Sequence, residues 1–250
     1  MTREHRHEIE IDASSDDVWR AVTDGDELTR WYAGRATSVP GEGGAVTVGW
    51  ENADGGLDEG TSRIEVWEPG RRLRLVDEPA EGFPAADGPT VQEWTIEVRG
   101  GRTVLRLVHS GFPESDDWDG IYDSTDHGWD AFLHYLRFYL ERHLGEPRLA
   151  VVATRPSPAG WGTLTAALGL AGDRFATTTA SGERLSGRVL LERDRKVLLA
   201  SVDQLDDGVL FMTLEAGGVW SSLAAYGRAR GRLAGGLGAA WRTWMLEICE

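Results

Sequence analysis

The sequence predicts an α+β fold: a curved antiparallel sheet closed over one long helix, then a second, smaller α+β segment. Three observations predict it. From residue 5 to residue 109 the chain is a string of short segments in which apolar and polar residues alternate, the period of half-buried strands. One later segment has helical period instead, with Trp129, Leu133, Leu136 and Leu140 on one stripe beside Phe132 and Tyr139. After Gly145 and Pro147 the same order of patterns begins again. A single long helix needs the concave face of a curved sheet to bury its stripe. Where the helix does not fill the curve, a hollow remains.

Each element has its own signal. His5, His7, Ile9 and Ile11 share one face of the first strand. Ser14 or Ser15 caps a short helix with Asp16 and Asp17 in its first turn, where the helix dipole favours negative charge. A second short helix runs from about Asp26 to Trp31. Strands follow over 45–50, 60–67 (Ile64 and Val66 on one face) and 71–77 (Leu73 and Leu75 inward). Residues 52–56 read as a turn and 78–89 as a Pro/Gly/Ala-rich loop. The strand over 91–98 puts Trp94, Ile96 and Val98 together. Gly100-Gly101 is a tight hairpin turn, and 103–109 returns with Leu105, Leu107 and His109 on one face. Residues 112–119 read as an acidic loop. The long helix is expected from about Tyr122 or His127 to Leu144, stopped by Gly145 and Pro147.

The first domain is therefore bounded at 3–145 and the second at 148–250. In the second, 149–154 reads as a strand broken by Pro156-Ser157-Pro158, and 159–170 as a helix. Strands follow over 175–180, 184–192, 196–204, 208–214 and 221–226. Asp206-Asp207-Gly208 is a hairpin turn, Gly235–Gly238 a flexible connector, and 239–248 a closing helix. Strand, helix, strands, closing helix is a shortened version of the first order, which gives two readings: a degenerate second copy of the same fold, or an unrelated α+β domain packed on the first. Parallel strands, or a closing helix off the sheet, would contradict the repeat.

Composition narrows the partners. A net charge of -15 repels phosphate backbones and anionic lipid, so neither nucleic acid nor membrane is an expected partner. Lys196 is the only lysine, so lysine-based Schiff-base chemistry is excluded in the first domain. Cys249 is the only cysteine, which excludes an intramolecular disulfide and a thiolate metal cluster. The N-terminus carries no apolar signal core, and a cytoplasmic location is expected.

Several motifs carry a resemblance. Glu8–Ala13, Val18–Thr23, Leu28–Trp31, Val66–Leu73, Thr103–Phe112 and His127–Asp130 stand in this order and spacing across more than half of the chain. On them, the chain resembles the START-like SRPBCC superfamily, in particular the homologues of the heat-shock protein 90 ATPase activator. The resemblance implies a helix-grip fold with a pocket for a small apolar molecule. It implies function weakly, because the group includes chaperone-ATPase activators and ligand carriers. The matching motifs begin almost at Met1, so the extra N-terminal domain of the eukaryotic activators is not expected, and chaperone activation ranks below ligand binding.

The candidate ligand-binding set is Trp31, Trp50, Trp94, His109, Phe112 and Trp129, because pockets favour aromatic walls with a few polar groups. His109 either orients a ligand, or acts as a general base, or is a buried histidine satisfied by a loop carbonyl. His127 reads as part of the helix start. His5 and His7 stand two apart on one strand face, but no third metal ligand is indicated. Asp116, Asp117, Asp119, Asp123 and Asp126 read as a solvated acidic lid, because their spacing matches no calcium loop. There is no nucleophile elbow, phosphate loop or zinc signature, so no catalytic residue, metal or cofactor is assigned. The leading function is binding of a small hydrophobic or aromatic molecule. An enzyme of polyketide cyclase or aromatase type is the second reading, needing His109, Tyr122 or an acidic residue clustered inward. A protein-interaction regulator, with a protein partner or a homodimer, is the third and needs a large exposed apolar patch.

Overall fold

The computed structural model describes residues 2–52, 56–77, 84, 88–156, 159–179, 181–215 and 218–249. The chain divides into two compact units, Met1–Trp50 with Leu57–Leu144, and Glu51–Gly56 with Gly145–Glu250. The expected loop over 78–89 lies largely outside the described residues. So do 53–55 of the expected turn, Ser157 and Pro158 of the proline break, and Ala180 at the end of its expected strand.

The first unit opens with β1 (Thr2–Ile11), which buries His5, Ile9 and Ile11 on one face. Helix α1 (Ser15–Thr23) is capped by the Ser14 hydroxyl, which accepts from the Asp17 amide. Helix α2 (Gly25–Trp31) is capped in the same way by Asp24. Six strands follow: β2 (Arg35–Val39), β3 (Ala45–Glu51), β4 (Leu57–Glu68), β5 (Arg72–Asp77), β6 (Val91–Arg99) and β7 (Arg102–Pro113). They form one sheet in the order β1-β7-β6-β5-β4-β3-β2, with antiparallel pairing at every join whose register is described. Helix α3 (Asp116–Arg142) then packs on β1, β7 and α2.

Four expectations change here. The acidic stretch is not a loop. Ser115 stands at the N-cap of α3, and Asp116, Asp117 and Asp119 occupy its first turn, where the positive end of the helix offsets their charge. His127 is consequently buried in mid-helix rather than at a helix start. Val98 is 64% exposed near the end of β6, two residues before the hairpin turn, and does not join Trp94 and Ile96 in the core. Ile64 is buried, but a register shift between Ile64 and Val66 breaks the alternation, leaving Val66 only half-buried. Gly100 and Gly101 do form the expected turn, both with positive φ, the conformation of the two-residue hairpin that fits sheet twist.

The second unit comprises β8 (Arg148–Pro156), α4 (Trp161–Ala167), β9 (Arg174–Thr178), β10 (Arg184–Arg193), β11 (Val197–Val202), β12 (Gly208–Glu215) and β13 (Gly218–Tyr226). The single turn α5 (Arg230–Arg232) leads through Leu233–Leu237 into α6 (Gly238–Ile248). Gly235–Gly238 is therefore helical rather than a loose connector, with a kink at Gly236, whose φ is 131°. Asp206 and Asp207 both take positive φ in the expected turn before Gly208. The sheet is antiparallel in the order β8-β13-β12-β11-β10-β9. Trp241, Trp244 and Met245 of α6 share one core with Leu198, Leu210 and Leu223 of the sheet. In both units the first strand pairs with the last, and the others run back in chain order. The second unit does this with one strand and one N-terminal helix fewer.

Candidate binding site between the first sheet and its helix

Strand alternation places His109, Leu107 and Leu105 on the face of β7 that meets α3. Phe112 lies three residues beyond His109, and in a regular strand it would face the other way. Gly111 prevents that. It takes φ of +95° opposite a register shift in β1, where Arg3 pairs Phe112 and Glu4 pairs Ser110. The extra residue turns the strand, so both side chains are buried and their rings stand 4.6 Å apart.

His109 is held from both sides. Trp129 of α3 donates its indole N–H to Nδ1 at 2.9 Å. An indole nitrogen can only donate, so Nδ1 carries no proton. Nε2 therefore carries it and donates to Asp77 Oδ2 at 3.2 Å. Asp77 also accepts from Ser62 Oγ (2.6 Å), Thr90 Oγ1 (2.6 Å) and Gln92 Nε2 (2.9 Å). Burial raises its carboxyl, but the bonds from His109, Ser62 and Thr90 outweigh burial and hold it below the usual carboxylate range. The loop carbonyl weighed for His109 is not its partner.

An aromatic group surrounds this chain of bonds. Tyr32, just after α2, lies nearly parallel to Trp129 with centroids 5.7 Å apart. It meets Trp50 edge-on at 5.2 Å and Phe132 at 4.7 Å. Trp94 meets Trp129 edge-on at 5.3 Å. Trp31 is fully packed and donates to the Ala21 carbonyl, while half-buried Trp50 donates to the Tyr32 carbonyl. Two polar groups are left over. Trp94 is 5% exposed, yet its Nε1 has no partner among the described residues. Tyr32 keeps accessible surface in spite of its ring neighbours. Burial first, and the Asp77 charge second, push its hydroxyl above the ordinary phenol range.

The other candidates resolve differently. His5 and His7 face α3, where His5 Nδ1 lies 3.1 Å from Asp126 and His7 Nδ1 2.8 Å from Asp130. Tyr122 stacks on His5 and donates to the Glu4 carbonyl, away from His109's polar partners. Among the described residues no group of three or more His, Cys, Asp or Glu is arranged to hold a metal ion. Sequence reasoning passed over Asp77, Gln92 and Tyr32. Asp77 had a signal, since Leu73, Leu75 and Asp77 alternate onto one face. Tyr32 had none, because it follows a short helix outside any periodic pattern.

Comparisons with known proteins agree with this architecture. No curated protein sequence matches the chain. Among solved structures, the di-domain ARO/CYC BexL from the BE-7585A biosynthetic pathway is 17% identical, covering 99% of this chain and 93% of its own, with a TM-score of 0.50. DynU16 from the dynemicin biosynthetic locus is 20% identical, covering 99% and 97%, with a TM-score of 0.47. The Aha1 dimer from Colwellia psychrerythraea is 21% identical, covering 56% of this chain and 96% of its own, with a TM-score of 0.47. The family described as "Activator of Hsp90 ATPase homolog 1-like protein" matches residues 12–141, a little over half of the sequence, and the chain belongs to that family.

Proposed function

We infer that the first unit binds a small apolar or aromatic molecule between its sheet and α3. One observation carries this reading: Tyr32 is ringed by Trp31, Trp50, Trp129 and Phe132 and still keeps accessible surface. A side chain so enclosed that is not covered borders a hollow. Aromatic walls with a few fixed polar groups suit an apolar guest. The candidate wall is Trp50, Trp94, Phe112 and Trp129, with Trp31 packed behind Tyr32 and His109 held among them.

The interaction reading has less support. Among the described residues, the exposed large apolar side chains are Val39, Leu57, Val98 and Leu144, which come from four separate places in the sequence. No helix among the described residues is long and apolar enough to cross a membrane. The cyclase or aromatase reading has one observation in its favour, the inward His109–Asp77 pair. Against it, Nδ1 of His109 is capped by Trp129 and Nε2 by Asp77, so neither nitrogen is open to a substrate proton. His109 serves better as a positioning residue. The second unit, with the same strand order, fits a degenerate copy of the first.

Native mass spectrometry of freshly purified full-length protein, compared with the denatured sample, tests the binding reading. A mass excess lost on denaturation is the expected result. The bare chain mass, together with no thermal shift from any small aromatic compound, would overturn it.

A further inference from the structure

The polar group around Asp77 specifies the guest more closely. Asp77 lies on the helix side of the sheet, since it holds His109, and His109 holds Trp129 of α3. Ser62 pairs with Asp77 across β4 and β5, and Gln92 pairs with His109 across β6 and β7. Ser62, Asp77, Thr90 and Gln92 are all only half-buried, and the Asp77 side chain is 21% exposed. Toward a guest this group shows mostly acceptors. The single protons of the Ser62 and Thr90 hydroxyls are spent on Asp77, which leaves their lone pairs. Gln92 spends one amide proton there and keeps its carboxamide oxygen and one N–H. The charge of Asp77 itself is not offset. Burial favours the neutral carboxyl, but the bonds from His109, Ser62 and Thr90 outweigh it and keep the group ionised. His109 is neutral, because its Nδ1 accepts from Trp129. Among the described residues no Arg or Lys pairs with Asp77, whereas on the opposite face of β4, β5 and β6 the carboxylates Glu65 and Glu93 are paired with Arg72 and Arg74.

Resting on the binding reading above, we propose that the guest carries a protonated amine, seated against Asp77, Ser62, Thr90 and Gln92, with its apolar part toward Tyr32. Tyr32 and Asp77 are neighbours in this sense: the Tyr32 ring stacks on Trp129, whose indole bonds the same imidazole that Asp77 holds. After burial, the Asp77 charge is the second force on the Tyr32 hydroxyl. An ammonium group has three donors and no acceptor, which matches a wall of lone pairs around one uncompensated charge. A hydrocarbon would strip water from that charge and give nothing back, and a carboxylate guest would be repelled by it.

The test uses three molecules of one shape, naphthylmethylamine, naphthylmethanol and naphthoate, titrated calorimetrically into the full-length protein. The amine is expected to bind about tenfold tighter than the alcohol, the effect of one hydrogen bond to a charged group, and the naphthoate weakest of the three. The preference should persist in high salt, which screens the general attraction of a chain of net charge -15 for cations. Asp77→Asn keeps the shape and removes the charge, and it should abolish the preference while the alcohol binds as before. If that variant folds poorly, the wild type still decides. In a long-range 1H–15N spectrum the amine should move the His109 Nε2 signal, whose proton is bonded to Asp77, and the alcohol should move it less. Equal binding of amine and alcohol would overturn the amine proposal and leave the binding reading standing. So would an amine preference that survives Asp77→Asn or leaves His109 Nε2 unmoved. No binding of any of the three would overturn both.

Discussion

The indole N–H of Trp129 points at Nδ1 of His109 from 2.9 Å, and this bond between helix and sheet fixes the tautomer of the histidine. Trp129→Phe keeps an aromatic ring there but removes the donor. The expected loss is about 1–3 kcal/mol, from the bond and the smaller ring together. The sharper readout is the imidazole itself. A long-range 1H–15N spectrum of the wild type should show His109 protonated on Nε2 alone, and Trp129→Phe should admit the other tautomer. A wild-type imidazole with its proton on Nδ1 would refute the assignment.

Two groups in the first unit should make its stability fall with acid, in separate windows. Burial holds His5 below the ordinary imidazole value, outweighing the attraction of Asp126. The folded protein thus binds this proton less readily than the unfolded chain. Stability is then full above about pH 6.5 and falls as pH drops from there toward the lowered folded value. Asp77 acts further down. Its folded carboxyl lies below the usual range, so its contribution is present above about pH 4 and is lost as pH falls through the folded value. Melting temperature measured from pH 8 to pH 3 should show both declines. His5→Phe should flatten the upper one, and Asp77→Asn should reduce the lower one, to which the lowered carboxyls of Glu65 and Glu97, paired with Arg74 and Arg106, also contribute.

Glu27 is a buried carboxylate in α2, and it ties that helix to α3. It accepts from Tyr139 Oη at 2.5 Å, from Arg30 at 2.5 Å and from Arg20 at 3.2 Å. A buried charge is tolerable when so many donors converge on it. Tyr139→Phe removes one donor and leaves two, so a loss of about 1–2 kcal/mol is expected. Glu27→Ala removes the acceptor shared by Tyr139, Arg30 and Arg20 at once and should cost more, about 3 kcal/mol. Urea unfolding of both variants checks the order. Equal losses would mean that the carboxylate is not the centre of the group.

Much of this was legible in the sequence, for reasons that differ by element. The inward faces of β1, β5 and β7 follow from alternation because one face of each is buried, at Ile9 and Ile11, at Leu73 and Leu75, and at Leu105 and Leu107. The start of α3 was not legible: Asp116, Asp117, Asp119 and Gly120 are weak helix formers, and tertiary contact overrides that weakness through Trp118, which is 5% exposed. β2 has no apolar stripe to read, being an edge strand with alternating exposed and half-buried residues. The bond network of Asp77 was hidden by distance, since His109 lies thirty-two positions along the chain.

Gly111 is where local geometry and the site meet, and it gives the most direct test of how the pocket is built. Its φ of +95° is rarely open to other residues, and an added Cβ would stand 2.6 Å from the Pro89 carbonyl oxygen. That neighbour is backbone and cannot rotate away. Gly111→Ala must therefore either bear the strain, at about 2 kcal/mol or more, or relax the bulge. Relaxing it would restore alternation beyond Ser110 and turn Phe112 off the inner face, away from His109. The expected variant is less stable, and its Phe112 ring no longer shows nuclear Overhauser contacts to His109. A variant as stable as wild type, with those contacts intact, would show that the bulge does not depend on glycine and that another feature aims Phe112 into the site.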